Sequence, residues 1–343
     1  MLAERKKQHL DIVLGSGSVS GHLRTGFETI RFEHVALPEI DMSTIDLSTQ
    51  FLGKRITAPF LVSSMTGGAE RAQDINHNIA IACEAMGIPF AVGSQRVAID
   101  TDSDWGMNRE LRRLAPSVPI LANIGAAQLN TGYGIEQARR AVEMIDADAL
   151  IIHLNPLQEA VQPEGDRNWS GLTMKIGALC DTLHVPVVVK EVGSGISPAT
   201  AETLAALGVK IIDVAGAGGT SWAAVEALRA RTPAEAAVAS AFADWGQPTA
   251  AAIAALRKAC PDAFIIGSGG IRTGVDAAKA IRLGADLVGQ AASVLKSATT
   301  SPEEVAEHFE IMSAQLRVAC FCTGSSNLAD LRVARMEAVP FEG

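Results

Sequence analysis

Between Leu150 and Asp166 the chain reads LIIHLNPLQEAVQPEGD, an apolar start that gives way at once to polar and acidic groups. His153, Asn155, Gln158 and Glu159 crowd together, and Pro156 and Pro163 stiffen the segment. A carboxylate set among amides suits a hard cation such as Mg2+, which often takes one or two carboxylates and completes its shell with substrate phosphates. Glu159 is the candidate ligand. Glu164 and Asp166 read as a solvated acidic loop, because surface carboxylates are the norm. Lys190 lies inside the apolar run PVVVKEV. A lysine there needs a partner, and an anionic ligand or an electron-rich ring is a natural one. GSGGIRTGVDAAKA (267–280) runs strand, glycine loop, helix, so that backbone N–H groups and a helix N-terminus can meet an anion. AGAGGTS (215–221) is a second such loop, and Gly289-Gln290-Ala291 ends another strand. Each loop alone reads equally as a tight turn; together they favour a phosphate-bearing cofactor.

The elements that must position these groups recur along the chain. Strands are expected at 59–65, 89–94, 119–125, 149–155, 186–192, 210–216, 264–270 and 287–291, with helix-period segments such as 72–87, 135–146, 198–208 and 275–285 between them. Continuous apolar strands alternating with amphipathic helices imply a parallel sheet covered by helices. Eight such units closing on themselves make a TIM (β/α)8 barrel, an α/β fold. An open doubly wound sheet would carry its phosphate loop after the first strand, and here that strand ends in SSMTGG. Period-2 alternation turns Ser94 (with Val92), Asn123, His153 with Asn155, and Lys190 toward the barrel axis at the carboxyl ends of strands two to five. Active sites of this fold sit there. The expected organisation is an N-terminal arm and hairpin (1–58), the barrel (59–320) with a long loop after strand six (about 217–248), and a C-terminal tail (321–343). The hairpin around Gly53-Lys54 is placed at the barrel floor, and the long loop as a wall or lid.

The 343 residues are 48% hydrophobic and 20% charged, a globular composition. A formal net charge of -9 argues against nucleic acid and anionic membranes as partners, so binding of an anion must rest on a few placed cations and N–H groups. No apolar window is long enough for a membrane span, and the basic N-terminus lacks the apolar stretch of a secretory signal. The spacing of Cys83, Cys180, Cys260, Cys320 and Cys322 completes no zinc site and reads as reduced thiols of a cytoplasmic protein.

Taken together, RKKQH (5–9), SSMTGG (63–68), GSQR (93–96), ANIGAAQL (122–129), HLNPLQE (153–159), QPEGD (162–166), VKEVGSGIS (189–197), DVAGAGGTSW (213–222) and GSGGIR (267–272) resemble the type 2, FMN-dependent isopentenyl-diphosphate delta-isomerases over nearly the whole chain. The resemblance implies an FMN-linked barrel of isoprenoid biosynthesis that interconverts isopentenyl and dimethylallyl diphosphate. It implies reduced FMN and Mg2+, NADPH as flavin reductant, and a homo-oligomer of four or eight chains. It also implies residue roles. Arg5, Lys6, Ser94, Gln95, Arg96, His153, Asn155 and Gln158 hold substrate, Gln158 is a further proton-transfer group, and Glu159 binds Mg2+. Ser64, Met65, Thr66, Gly67, Ser94, Asn123, Lys190, Thr220, Gly269, Gly270, Gly289, Gln290 and Ala291 line FMN. Gln290 stands where an apolar residue is expected. Two flavin and nucleotide oxidoreductase readings fit less well. A 2-hydroxy-acid oxidase needs a His-Gly-Gly-Arg-type segment after strand six, and an inosinate-type dehydrogenase needs a cysteine there; AGAGGTS has neither. A barrel that binds flavin without turnover is the non-enzymatic alternative.

Overall fold

The computed structural model describes residues 2–15, 19, 21–65, 71–101 and 103–338. Eight parallel strands close into a barrel. They are β1 (Phe60–Val62), β2 (Phe90–Ala91), β3 (Ile120–Gly125), β4 (Ala149–Leu154), β5 (Val187–Glu191), β6 (Ile211–Asp213), β7 (Phe264–Ser268) and β8 (Leu287–Gln290). Val288 of β8 pairs with Phe60 of β1 and so seals the ring. Among the described residues, no helix is long and apolar enough to cross a membrane.

Two apolar cores follow from the period of two. Leu61, Ala91, Leu121, Ala149, Ile151, Val188, Ile211, Ile266 and Leu287 fill the barrel axis. Their strand neighbours, such as Val62, Val92, Ile124, Ile152 and Val189, face the helices. The antiparallel hairpin of Thr49–Phe51 and Lys54–Ile56 plugs the floor: Phe51 and Ile56 join the axial core, and the Phe51 ring lies 5.1 Å from that of Phe264. One feature of β2 departs from the sequence reading. Ala91, not Val92, points inward, so the inward step beyond it is Gly93. Ser94 reaches the axis from the turn after the strand.

The expected C-terminal tail is structured through Ala338. The helix Leu328–Val333 buries Leu328 and Leu331, and Met336–Ala338 pairs antiparallel with Ile30–Phe32. The loop after β6 is closed at its base by an Ala217–Pro248 bridge and holds the helices Trp222–Arg229 and Pro233–Ser240. Below the barrel, Asp286 accepts from Ile265 N at 2.8 Å and Arg257 Nη2 at 2.6 Å, and lies 3.1 Å from Arg332 Nη2. Asp286→Asn should therefore cost about 1–3 kcal/mol of stability, seen as a lower urea midpoint at unchanged m. An unchanged midpoint would show that water replaces these bonds.

Candidate active site

Two residues beyond the axial core, the strands present Ser63, Gly93, Asn123, His153, Lys190, Ser268 and Gly289 to a cavity of about 480 Å³ at their carboxyl ends. Asp213 occupies the same layer on β6, is buried and pairs in register with Lys190, their charged atoms 3.9 Å apart. Lys190 Nζ also donates to Glu191 O at 2.6 Å, and Ser268 Oγ donates to Asp213 Oδ1. Burial pushes the Asp213 carboxyl up, opposed by Lys190 and the Ser268 hydrogen bond. Lys190 thus has Asp213 beside it and the cavity in front of it.

His153 Nδ1 lies 2.8 Å from Asn123 Oδ1, while Asn123 Nδ2 donates to Val92 O at 3.3 Å. That orientation leaves Oδ1 as the acceptor and assigns the imidazole proton to Nδ1. Burial, then Lys190 and Lys6, lowers the His153 pKa to about 3. The ring is neutral, and its Nε2 is an acceptor. A phosphate oxygen at Nε2 would require the ring to take up a proton.

The N-terminal helix Leu2–Gly15 lies over the cavity, to which Lys6, His9, Leu10 and Val13 contribute. Lys6 Nζ donates to Ser94 O at 2.9 Å. Burial and the nearby Arg5 and Arg96 lower its pKa to about 7. Arg5 Nε is buried without a partner, and burial lowers the Arg5 pKa as well. His9 Nε2 meets Glu226 Oε1 at 2.7 Å, and its ring stands edge-on to Trp222 at 5.1 Å. Gln158 Nε2 donates to the same Glu226 oxygen at 3.3 Å, and Arg229 pairs with Oε2. Burial raises the Glu226 pKa, but His9, Arg229 and Gln158 together hold it below the usual range, so the carboxylate is ionised.

The segment after β4 forms the helix Pro156–Val161, with Asn155 at its N-cap position. Glu159 is 4% exposed. It accepts from Asn155 Nδ2 at 3.0 Å, Gln162 Nε2 at 2.6 Å and Asp166 N at 2.7 Å. The amide oxygens Asn155 Oδ1 and Gln162 Oε1 are buried without partners. Among the described residues there is no cluster of three or more His, Cys, Asp or Glu side chains able to hold a metal. The donor set is one carboxylate with unpartnered amide oxygens, which fits Mg2+ completed by phosphate oxygens and water.

The glycine loops after β6 and β7 pack backbone to backbone. A Cβ on Gly219 would lie 2.6 Å from Gly270 N, and one on Gly269, at φ +107°, would lie 2.1 Å from Gly216 O. Thr249 Oγ1 ties them, 2.7 Å from Gly269 O and 3.2 Å from Ala217 O. Ser63 Oγ, Ser64 Oγ and Thr220 Oγ1 are buried without partners around the same cavity. Unused hydroxyls and bare backbone at the strand-seven loop fit the phosphate and ring edges of FMN.

Of the residues singled out from the sequence, Lys6, Ser64, Met65, Ser94, Asn123, His153, Gln158, Lys190, Thr220, Gly269, Gly270, Gly289, Gln290 and Ala291 line the cavity. Arg5, Arg96, Asn155 and Glu159 gather at its side rather than in its lining. Thr66 and Gly67 lie outside the described residues. Gln95 is turned away: its Nε2 donates to Ala141 O at 2.8 Å and its Oε1 accepts from Asn123 N at 2.9 Å, so the side chain is used up in packing. The Gln290 amide points from the cavity toward the helix Pro302–Cys322, with His308 Nε2 2.7 Å from Oε1 and Nε2 donating to Ile271 O at 3.0 Å. Asp213, Glu226, Trp222 and His9 were not singled out. The count of two that finds Lys190 from Val188 would also have found Asp213 from Ile211.

Residues 6–99 and 91–338 match the FMN-dependent dehydrogenase family. An isopentenyl-diphosphate delta-isomerase of Stutzerimonas stutzeri is 60% identical, over 98% of this chain and 97% of that protein. One of Xanthobacter autotrophicus is 59% identical, over 96% and 95%. A solved mandelate oxidase with (S)-2-phenylpropionate superimposes with a TM-score of 0.66 at 17% identity, covering 97% of this chain and 95% of the other. At that identity the likeness concerns the barrel alone.

Proposed function

The chain belongs to the FMN-dependent dehydrogenase family and, within it, to the isopentenyl-diphosphate delta-isomerases, and from that premise we propose how its residues divide the work. The substrate pair is isopentenyl and dimethylallyl diphosphate. One proton is added to the terminal alkene carbon and another is removed from the allylic carbon on the other side of the resulting cationic centre, so the double bond moves with no net redox change. Bound reduced FMN supplies an electron-rich ring beside the developing positive charge and a proton-exchanging N5, with NADPH as its reductant and Mg2+ neutralising diphosphate charge.

The observation that carries this reading is the separation of charge. Arg5, Lys6, Arg96 and the Glu159 amide cluster gather at one side of the cavity, while Lys190, Asn123 and the glycine loops form its base. A protein of net charge -9 holds a diphosphate only through such a local concentration of donors. Lys190, 3.9 Å from Asp213, borders the cavity where the electron-rich ring would lie. His153, Asn155, Arg96, Arg5 and Lys6 hold the diphosphate, and Ser94 fixes Lys6 through its carbonyl. Ser64, Met65, Thr220, Gly269, Gly270, Gly289 and Ala291 would enclose FMN. Trp222 and the arm exclude water from the alkene. Gln158 is the candidate second proton-transfer group; an amide is a poor acid by itself, and its hydrogen bond to Glu226 orients it toward the cavity. The same reading makes the enzyme a cytoplasmic homo-oligomer, with which its free cysteines agree.

The test is direct. Purified protein is expected to carry or take up a yellow chromophore and, given FMN, Mg2+ and NADPH, to convert isopentenyl diphosphate to its isomer. Absence of product, or equal product without flavin, sinks the reading.

A further inference from the structure

The sequence reading leaves Asp166 in a solvated acidic loop, yet the structure commits its polar groups. Its Oδ2 lies 2.9 Å from Arg96 Nη1, its N–H donates to Glu159 Oε2 at 2.7 Å, and its carbonyl accepts from Trp169 Nε1 at 2.9 Å. Gly165 permits the close return of the chain, because a Cβ there would lie 1.8 Å from Glu159 O. Arg167 Nη2 holds the loop from behind by donating to Gln162 O at 3.2 Å. Glu164, next door, pairs with Arg231 at the surface, where a charge pair contributes little.

Arg96 is gripped from a second side. Its Nε lies 3.6 Å from Asp100 Oδ2, and Asp100 Oδ1 accepts from the Tyr133 hydroxyl at 2.7 Å. Among the described residues, Arg96 Nη2 donates no hydrogen bond, whereas Nη1 is spent on Asp166. A carboxylate next to an anion site repels the anion unless it is spent on a cation. Spent in this way, it immobilises a long side chain before the ligand arrives and so removes an ordering cost from binding.

We propose that Asp166 is a positioning residue that joins the two anion-binding elements of the site: its carboxylate aims Arg96 Nη2 at the diphosphate, and its N–H fixes the Glu159 carboxylate for the metal. The inference rests on the diphosphate reading above. Asp166→Asn keeps the N–H and removes the charge. In the FMN-loaded enzyme it is expected to weaken inorganic pyrophosphate, measured by calorimetry with Mg2+, about tenfold. KM for isopentenyl diphosphate should rise by the same factor, with kcat falling less than threefold. In an Arg96→Gln background the same substitution should have almost no further effect, because its target is gone. Asp166→Glu, which keeps the charge, should recover most of the affinity. Equal pyrophosphate affinity in wild type and Asp166→Asn overturns the positioning role alone. So does an undiminished effect in the Arg96→Gln background, or a Glu variant as weak as the Asn variant. If the wild type binds no pyrophosphate, the diphosphate reading falls and this inference with it.

Discussion

Glu159→Gln is expected to lower kcat/KM by on the order of 10³-fold while FMN stays bound. The carboxylate is buried and already accepts three hydrogen bonds, from Asn155, Gln162 and Asp166. Those bonds hold one rotamer, so a cation would meet a fixed carboxylate oxygen. A glutamine keeps the size but loses the charge, and its amide must place its oxygen toward Asp166 N and Gln162 Nε2. Its NH2 group then faces Asn155, whose free Oδ1 can rotate in to accept it. The local fold therefore survives, and the loss falls on the metal. Glu159 is outside the cavity lining, so the flavin absorbance of the purified variant should match wild type. The Mg2+ concentration giving half-maximal rate should rise steeply. Release of flavin instead would mean that this loop scaffolds the cofactor, and an unchanged Mg2+ requirement would place the metal elsewhere.

The barrel is legible in the sequence because parallel strands buried on both faces are written as continuous apolar runs, each bounded by Pro, Gly or a polar turn. Where a strand is long, parity is legible too: Leu121 with Asn123, Ile151 with His153 and Val188 with Lys190 all face the axis. It fails on β2, which pairs only at Phe90 and Ala91. Two residues give no alternation to fix the register, and the inward step falls on Gly93, which has no side chain to reveal it. Gln95 shows a second limit. Its neighbours in GSQR suggest a binding role, but its amide closes the backbone of Asn123 and Ala141, partners far away in sequence. The His9–Glu226 contact joins residues 217 apart, and no local pattern announces it. Asp166 illustrates the converse, since acidity in a Pro-Glu-Gly-Asp turn looks solvated until the fold brings Arg96 to it.

Deleting residues 1–9 is expected to lower kcat/KM at least ~100-fold, because two charge-assisted contacts at about 1.5–3 kcal/mol each are lost and each 1.4 kcal/mol is a factor of ten. The deleted segment packs on this barrel through the His9–Glu226 bond and a 3.1 Å bond from Arg229 Nε to Gln8 Oε1, and Lys6 and His9 line the cavity, so its removal also opens that cavity. Lys6 gives the loss a pH signature. Burial, Arg5 and Arg96 lower its pKa from the usual lysine value to about 7, with Asp100 opposing weakly. A diphosphate favours the charged ammonium and so raises that pKa in the complex. Binding is then strongest below pH 7 and weakens as pH rises above 7, until the pKa of the bound state is reached. KM for isopentenyl diphosphate should accordingly climb between pH 7 and 9 in the wild type. Lys6→Arg, whose guanidinium stays charged, should show a flatter profile while the titration of the substrate itself is unchanged. Full activity after the deletion would put the arm outside the site, and parallel pH profiles for wild type and Lys6→Arg would mean that Lys6 does not titrate in this range.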